Sequence, residues 1–295
     1  MHLLDRRALL AGGVAVLVPA AGVAGCGGTG GAGTSADSTT PAPTSTFPTP
    51  TPAPSGLARA DLAGVIEEYL DGRTGDYAVA VHDRRSGTVL SVGSREGTML
   101  STVKVPIAMA VLRRVGERGR WLTDREDQLM TAMIQQSDNA ATNAILDALG
   151  TGPVENEIAL LRLTSTHFRT DGRWGLSTTI PEDLLLVVDA LVDGTSGLRE
   201  RAERHLLTLM EGVAADQRWG VASPPLPGDL TVRTKNGWGV IDGVYRVNTM
   251  GHVLGDGRDH SMSVLGTSPR GYSYGTRTVS ALATTVHEAL AERLA

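Results

Sequence analysis

The stretch Ser101-Thr102-Val103-Lys104-Val105-Pro106 holds a serine and a lysine three residues apart at the predicted beginning of a helix. Pro106 falls within the first turns, where proline is tolerated. Residues three apart on a helix share a face, so the Ser101 hydroxyl and the Lys104 amine can meet. The beginning of a helix also offers a positive field and free amide donors to a developing negative charge. This stretch therefore predicts a serine nucleophile with a lysine base, although alone it is equally typical of a solvated helix pair.

Lys104 and Lys235 are the only lysines among the 27 basic residues of the chain. A desolvated lysine can lose its proton in a protein, whereas an arginine cannot. Because the chain otherwise uses arginine, we expect the two lysines to serve chemistry. The alternative is an arginine-rich coding bias that two lysines survived by accident.

Two further motifs accompany these lysines. Ser137-Asp138-Asn139 interrupts two helical runs, 127–136 and 140–149, and alone it indicates a helix N-cap. Lys235-Asn236-Gly237 follows a β-rich run, and alone it indicates a strand that ends in an Asn-Gly turn.

Hydrophobic periodicity predicts strands on both sides of a central helical block. A helix over 57–70 and a hairpin over 77–83 and 88–93 precede helical sequence over 102–211. Strands then follow over 230–235, 244–254 and 261–267, and a helix over 276–294. Strands from both ends of the chain predict one antiparallel sheet with helices on its faces and a helical subdomain, an α/β fold in the broad sense (α+β).

The N-terminus predicts an exported, lipid-anchored protein. Arg6 and Arg7 precede an apolar run over 8–24 that ends in Val23-Ala24-Gly25-Cys26, which resembles a bacterial lipoprotein cleavage box. Residues 1–26 are thus predicted to be a signal peptide, with lipid attached to the single cysteine, Cys26. The alternative is a buried or stray thiol. The paired arginines also resemble a twin-arginine signal. Residues 27–56, rich in Pro, Thr, Ser and Gly, predict a disordered tether, and residues 57–295 a folded domain.

Composition argues against several classes of partner. The net charge is −5 and the sequence pI about 5.8, and no basic run interleaved with aromatics occurs in the folded part, so we expect no nucleic-acid partner. The seven histidines are dispersed, with no cysteine partner or His-Glu-x-x-His run. We therefore expect no metal and no cofactor, and a monomer.

The three motifs, in this order in an exported domain, resemble those of the penicillin-recognising serine hydrolases, the class A β-lactamases and penicillin-binding proteins. The resemblance extends over about residues 57–295 and implies their β-lactamase/transpeptidase-like fold. It implies that Ser101 forms an acyl-enzyme and that Lys104 accepts its proton. Ser137 would then pass a proton to the leaving nitrogen, assisted by Lys235.

The resemblance also implies a substrate-binding set. Asn139 would hold Lys104 and the substrate amide, and the backbone amides of Ser101 and Trp238, which follows Gly237, would form the oxyanion hole. Asn236 stands where the family usually has a threonine or serine that contacts the substrate carboxylate. The carboxylate-binding cation would be Arg246, which is alternatively an ordinary exposed strand residue.

One family element is absent from the sequence. Class A β-lactamases carry a Glu-x-x-x-Asn segment whose glutamate activates the deacylating water, whereas the loop over 167–181 has only one carboxylate before Pro181, Asp171. Glu182 and Asp183 are predicted to lie in the first turn of the next helix. Ser101 and Ser137 also lie close in sequence, with room for only two helices, so we expect an open cleft.

The sequence thus predicts an exported serine hydrolase that acylates on a β-lactam or related amide, with deacylation not assured. A peptidoglycan-acting penicillin-binding protein, a DD-peptidase or an acylase is one alternative. A non-catalytic binder of cell-wall peptides or of a protein is another. The expected location is the extracytoplasmic face of the cell membrane.

Overall fold

A five-stranded antiparallel sheet combines strands from both ends of the folded chain, in the spatial order β2-β1-β7-β6-β5. The computed structural model describes residues 59–93, 95–223 and 230–291; the predicted signal peptide, Cys26 and the tether lie outside the described residues. The strands are β1 (Asp76–Asp83), β2 (Thr88–Val92), β3 (Gly97–Thr98), β4 (Thr178–Thr179), β5 (Thr231–Ile241), β6 (Val244–Gly255) and β7 (Arg258–Ser268). The short β3 and β4 form a separate two-stranded ladder.

Two Asp-Gly pairs make the turns between the long strands. Asp242 and Gly243 have φ of +49° and +75°, and Asp256 and Gly257 have φ of +45° and +71°. Two consecutive positive φ angles define the two-residue turn that suits a twisted hairpin, and Asp-Gly is a preferred pair for it. The Asn-Gly turn indicated after Lys235 is wrong, because β5 continues to Ile241.

Eight helices cover the two faces of the sheet and build the helical block in the described part of the chain. They are α1 (Arg59–Leu70), α2 (Lys104–Glu117), α3 (Asp124–Gln135), α4 (Asn139–Leu149), α5 (Gly152–Leu160), α6 (Pro181–Val192), α7 (Glu200–Glu211) and α8 (Tyr272–Ala291). α1 and α8 pack on one face around a core that includes Leu62, Ile66, Val264 and Val286. The other face meets α6 and the helical block, whose core is centred on α2. The predicted fold class is confirmed.

Local signals explain the two helix beginnings that frame the Ser-Asp-Asn motif. Thr123 and Glu126 form a reciprocal capping box at α3, with Thr123 N–H donating to Glu126 at 2.8 Å. Asp138 caps α4 by accepting from the backbone N–H of Ala141 at 2.7 Å. The N-cap interpretation of Asp138 is therefore correct, and it leaves the side chains of Ser137 and Asn139 for other contacts.

Candidate active site

Ser101 lies in a 3₁₀ turn, Leu100–Val103, that leads directly into α2. Leu100 has φ of +53°, in the left-handed region that a leucine rarely adopts. β5 packs tightly against this turn, since a Cβ at Gly237 would lie 2.7 Å from the backbone nitrogen of Ser101. Strained backbone persists where its surroundings hold it, and it is often found at functional sites. β5 therefore holds the turn that presents Ser101.

Lys104 is completely buried, and its amine donates to three oxygens. Nζ lies 2.6 Å from the carbonyl oxygen of Ser137, 2.8 Å from Oδ1 of Asn139 and 3.2 Å from Oγ of Ser137. None of the three belongs to Ser101. A neutral amine has two N–H bonds and one lone pair. The contacts with the Ser137 carbonyl and with Oδ1 of Asn139 can use the two N–H bonds, so the lone pair remains available to accept a proton.

Burial changes the charge of Lys104 as well as its position. Desolvation lowers the pKa of Lys104 from 10.5 to about 8, against the opposing effect of the Asp138 carboxylate. At pH 7 about one Lys104 amine in ten is then neutral, roughly three hundred times the fraction of an ordinary lysine. A base that can accept a proton from a serine at neutral pH must be populated in this neutral form.

Ser137 joins the two lysines of the chain. Its Oγ accepts from Nζ of Lys235 at 3.0 Å as well as from Lys104, and Lys235 also donates to the carbonyl oxygen of Asn236 at 3.0 Å. Ser137 has φ of +57°, so its backbone is held in the left-handed region like that of Leu100. Its hydroxyl can accept from one amine while donating to the other, which makes a path for a proton between Lys235 and Lys104.

Lys235 is also fully buried, and two effects disfavour its charge. Burial first, and the neighbouring Lys104 amine second, lower the pKa of Lys235 from 10.5 to about 7. Two amines that bind the same hydroxyl titrate as a pair, because a proton on one disfavours a proton on the other. Near neutral pH the two amines therefore tend to carry one positive charge between them rather than two.

The predicted substrate-binding residues separate into two groups. Asn139 contacts Lys104, and Gly237 with Trp238 lies beside the Ser101 turn, as the resemblance implies. Asn236 points elsewhere: its Nδ2 donates to the carbonyl oxygens of Gln217 at 2.7 Å and Trp219 at 2.9 Å, and the side chain is buried. Both amide hydrogens are thus occupied by backbone groups.

Arg246 is not brought to the motif residues by the sheet. On β6 it pairs with Gly239, four residues beyond Lys235 along β5. At the rise of a strand this is about 13 Å along β5. Burial first, and Arg95 second, lower the pKa of the Arg246 guanidinium. The alternative, an ordinary exposed strand residue, does not hold, because Arg246 is half-buried and, among the described residues, its Nη1 has no hydrogen-bond partner.

The loop over 167–178 supplies no free carboxylate to the site. The Asp171 carboxylate accepts hydrogen bonds from Arg169 and Arg173, which hold the pKa of its carboxyl well below the usual range. Glu182 and Asp183 lie in the first turn of α6, as predicted. Asp183 accepts from Ser165 N–H and the Thr166 hydroxyl, at 2.9 and 2.8 Å, and so holds the segment that precedes the loop against α6.

Trp174 in this loop is a site residue that the motif analysis missed. Its ring centroid lies 5.1 Å from Nζ of Lys104, and its Nε1 donates to Asn143 at 2.8 Å. The loop is fixed beside the Ser101 turn, because Met99 N–H donates to the Ser177 carbonyl at 2.7 Å. The signal available in the sequence was a single tryptophan in a short loop, in a chain with few aromatic residues.

Other kinds of site are not found in the described residues. No cluster of three or more His, Cys, Asp or Glu residues within 59–93, 95–223 and 230–291 is arranged to hold a metal ion. Within the same ranges, no helix has the length and apolar character needed to span a bilayer.

Two buried lysines and the half-buried Ser101 and Ser137 lie between an antiparallel sheet and a helical block, in the fold of the class A β-lactamases. A sequence model of the β-lactamase enzyme family matches residues 125–290, more than half of the chain. The chain belongs to the β-lactamase enzyme family.

Solved structures with this fold match almost their whole length. The TLA-1 extended-spectrum β-lactamase has a TM-score of 0.70 at 18% identity, covering 79% of this chain and 99% of its own. The class A β-lactamase of Mycobacterium abscessus has a TM-score of 0.65 at 23% identity, with the same coverage of 79% and 99%. At these identities the likeness establishes the fold.

The chain is also similar in sequence to proteins named lipoprotein LppW in Mycobacterium bovis and Mycobacterium tuberculosis. They are 27% identical over 200 residues, which make up 65% of this chain. The chain thus matches 63% of the length of these relatives.

Proposed function

We propose that the chain is a β-lactamase-like serine hydrolase that forms an acyl-enzyme at Ser101 on a β-lactam or a related amide. The observation that carries this proposal is the arrangement around Ser137, whose hydroxyl binds both buried lysine amines at 3.2 and 3.0 Å. A structural role alone does not require two lysines to be desolvated around one serine, since burying an amine with only neutral hydrogen-bond partners reduces stability.

Acylation would begin with the neutral fraction of Lys104. Its lone pair takes the proton of the Ser101 hydroxyl, and Oγ bonds to the substrate carbonyl carbon. The backbone N–H groups of Ser101 and Trp238 stabilise the resulting oxyanion. As the carbon–nitrogen bond breaks, Ser137 gives its proton to the leaving nitrogen and regains one from Lys104, while Lys235 holds the Ser137 hydroxyl in place. The proton count is then balanced, with one proton moved from nucleophile to leaving group.

Deacylation requires a water molecule and a base. The loop carboxylate Asp171 is neutralised by two arginines and has a depressed pKa, so it is a poor candidate for that base. Lys104, neutral again after the proton has left, is the remaining base of the described site. We therefore expect acylation to outpace deacylation, so that the acyl-enzyme accumulates.

The test uses the folded domain with a fluorescent penicillin and a chromogenic cephalosporin. Ser101→Ala is the test variant, and Ser273→Ala, at an exposed serine of α8, is the matched control. We expect stable labelling of the wild type and of the control, none of Ser101→Ala, and slow cephalosporin turnover. Labelling that survives Ser101→Ala would refute the mechanism.

Two alternatives give different results in the same experiment. A peptidoglycan-acting penicillin-binding protein or acylase would be labelled by penicillin and would also cleave an acyl-D-Ala-D-Ala peptide or another amide. A non-catalytic binder of cell-wall peptides or proteins would show neither labelling nor turnover. The missing loop glutamate and the Asn236 side chain, whose amide donates to the backbone carbonyls of Gln217 and Trp219, favour this second alternative.

The location is also part of the proposal. The lipoprotein name of the mycobacterial relatives supports export and attachment of lipid at Cys26, with 1–26 as signal peptide and 27–56 as tether. Metabolic labelling with an alkyne palmitate analogue would detect the lipid, and Cys26→Ser would abolish it.

A further inference from the structure

Trp174 lies against both the Lys104 amine and a groove at the surface of the protein. The centroid of its ring is 5.1 Å from Nζ of Lys104, which is completely buried. The groove has a volume of about 400 Å³ and runs between α4 and the loop over 167–178. Trp174 lines it together with the exposed residues Asn143 and Asp147. The indole therefore separates the amine from water in the groove.

Hydrogen bonds to the ring and to the backbone hold Trp174 in this position. The indole Nε1 donates to Oδ1 of Asn143 on α4 at 2.8 Å. The carbonyl oxygen of Trp174 accepts from the Ser177 hydroxyl at 2.6 Å and from the Ser177 N–H at 3.1 Å, and Ser177 is fully buried. The ring is thus anchored at two places, one on α4 and one within its own loop.

The loop segment that carries Trp174 also packs against the turn of the nucleophile. Trp174–Leu176 forms a 3₁₀ turn in contact with the turn Leu100–Val103 that holds Ser101. A Cβ at Gly175 would lie 4.0 Å from the Cα of Leu100, the residue before Ser101. Water that passed the indole would therefore arrive beside both Lys104 and Ser101.

The ring can act on the amine in two ways that have opposite signs. The face of an indole attracts a cation and so favours the charged amine, whereas exclusion of water disfavours it. The pKa of Lys104 is lowered to about 8, with burial as the largest cause, so exclusion of water outweighs attraction at this amine. The charged groups that act on the amine are Asp138 before α4 and Lys235 on β5, and neither belongs to the loop.

We infer that Trp174 is a positioning residue that keeps water away from Lys104 and Ser101, and that it thereby favours formation of the acyl-enzyme over its hydrolysis. This inference rests on the proposed function for the existence of the acyl-enzyme. A site closed against water protects a reactive intermediate from hydrolysis. In that hydrolysis the oxygen of one water bonds to the acyl carbon, whose bond to Ser101 Oγ breaks. One water proton passes through Lys104 to Oγ and restores the serine hydroxyl. Trp174 opposes this reaction by withholding the water.

The first experiment needs no substrate. Lys104 and Lys235 are the only lysines of the chain, so labelling lysine with carbon-13 at Cε gives two NMR signals, which Lys235→Arg assigns. A pH titration of these signals measures the pKa of Lys104. Trp174→Ala should admit water and raise this pKa by about one unit, and Trp174→Phe, which keeps an apolar ring, should change it little. A lower pKa in Trp174→Ala would show that the ring acts mainly as a partner of the cation, and would overturn the inference.

The second experiment measures the lifetime of the penicillin adduct on Ser101. Excess penicillin is removed, and intact-mass spectrometry follows the loss of the adduct at about pH 9.5, where Lys104 is mostly neutral in every variant. Trp174→Ala should shorten the lifetime about three- to tenfold, because water then reaches the ester. Trp174→Phe should restore a lifetime close to that of the wild type.

Two further variants separate the role of the ring from general damage to the fold. Asn143→Leu removes only the hydrogen bond of the indole, at an exposed position, and should shorten the lifetime by a smaller factor than Trp174→Ala. Trp121→Ala is the matched control and should leave it unchanged, because Trp121 contacts His205 and Arg201 instead of the lysines. Thermal melting shows whether each variant folds.

The outcomes distinguish failure of this inference from failure of the proposed function. An unchanged lifetime in Trp174→Ala, or an equal loss in Trp121→Ala, would overturn the inference. If Trp174→Ala does not fold, Asn143→Leu takes its place, and an unchanged pKa and lifetime there would overturn it. A protein that penicillin never labels would refute the proposed acylation, and the lysine signals alone would then decide whether Trp174 shields Lys104 from water.

Discussion

Asn139 offers a test of Lys104 in which two substitutions at one position have opposite effects. Oδ1 of Asn139 accepts from Lys104 Nζ at 2.8 Å and so stabilises the charged amine. Asn139→Leu removes this acceptor, and Asn139→Asp puts a negative charge in its place. If neutral Lys104 is the base for Ser101, the pH at which acylation is half-maximal should follow the pKa of Lys104.

The magnitudes follow from the contact. A hydrogen bond to a charged group contributes about 1.5–3 kcal/mol, or about one to two pKa units. Asn139 lies at the surface, where water can partly replace it, so we take the lower end. The pKa of Lys104, lowered by burial to about 8, should then fall to about 7 in Asn139→Leu. In Asn139→Asp a carboxylate at this distance should raise it by about one to three units.

The assay is intact-mass spectrometry of penicillin acylation in the single-turnover regime from pH 5.5 to 10. For the wild type, the rate constant should rise nearly tenfold from pH 6 to 7, be half-maximal near pH 8 and level off above about pH 9, as the neutral amine does. The midpoint should move to lower pH in Asn139→Leu and to higher pH in Asn139→Asp, whatever happens to the maximal rate. Midpoints that stay fixed, or move in the same direction, would refute Lys104 as the base.

Three further predictions concern the frame of the site. His287 is buried against a second histidine, and burial lowers its pKa to about 4, so the stability that its neutral form contributes is complete above pH 6.5 and lost toward pH 4. Urea unfolding should therefore give a free energy of unfolding about 2–3 kcal/mol lower at pH 4.5 than at pH 7. His287→Leu should reduce this dependence of stability on pH. Gly237→Ala should slow acylation about 100-fold, because the added Cβ displaces the backbone amide of Ser101. Gly64→Ala, at a glycine with open space around it, should leave the rate unchanged. Equal rates in both variants would disprove the close approach of β5 to the Ser101 turn. Arg113→Met should lower the free energy of unfolding by about 3 kcal/mol, because it leaves the buried carboxylate of Glu157 without its cation. If the loss of this ion pair is the cause, adding Glu157→Gln should recover part of the lost stability.

The local parts of the site were accessible from the sequence because they depend on neighbouring residues. Ser101 and Lys104 are three residues apart at a helix beginning, and Asp138 is a capping residue before an apolar helix, so both patterns have short-range physical causes. The Asn-Gly pair at 236–237 misled for the same reason. Its local preference for a turn was overridden by pairing with Thr249 and Asn248 on β6, and the Asp-Gly pair at 242–243 took the turn instead.

Contacts between distant segments were not accessible in this way. No spacing in the sequence indicates that Trp174 lies over Lys104, or that the Asn236 amide turns to Gln217 and Trp219. Arg246 shows the same limit, since an offset along the chain does not specify a register between strands. A change of a single residue in turn position moves a strand residue to the other face.

By itself, the sequence determined the residue types of the proposed site, their order, and a fold that joins strands from both ends of the chain. Only the tertiary structure decided that both lysines lose their water around Ser137, which lowers the pKa values of Lys104 and Lys235 to about 8 and about 7. The reason is physical: a pKa depends on the solvent and charges around a group, and those come from α2, β5 and the motif between α3 and α4, which are far apart in the chain.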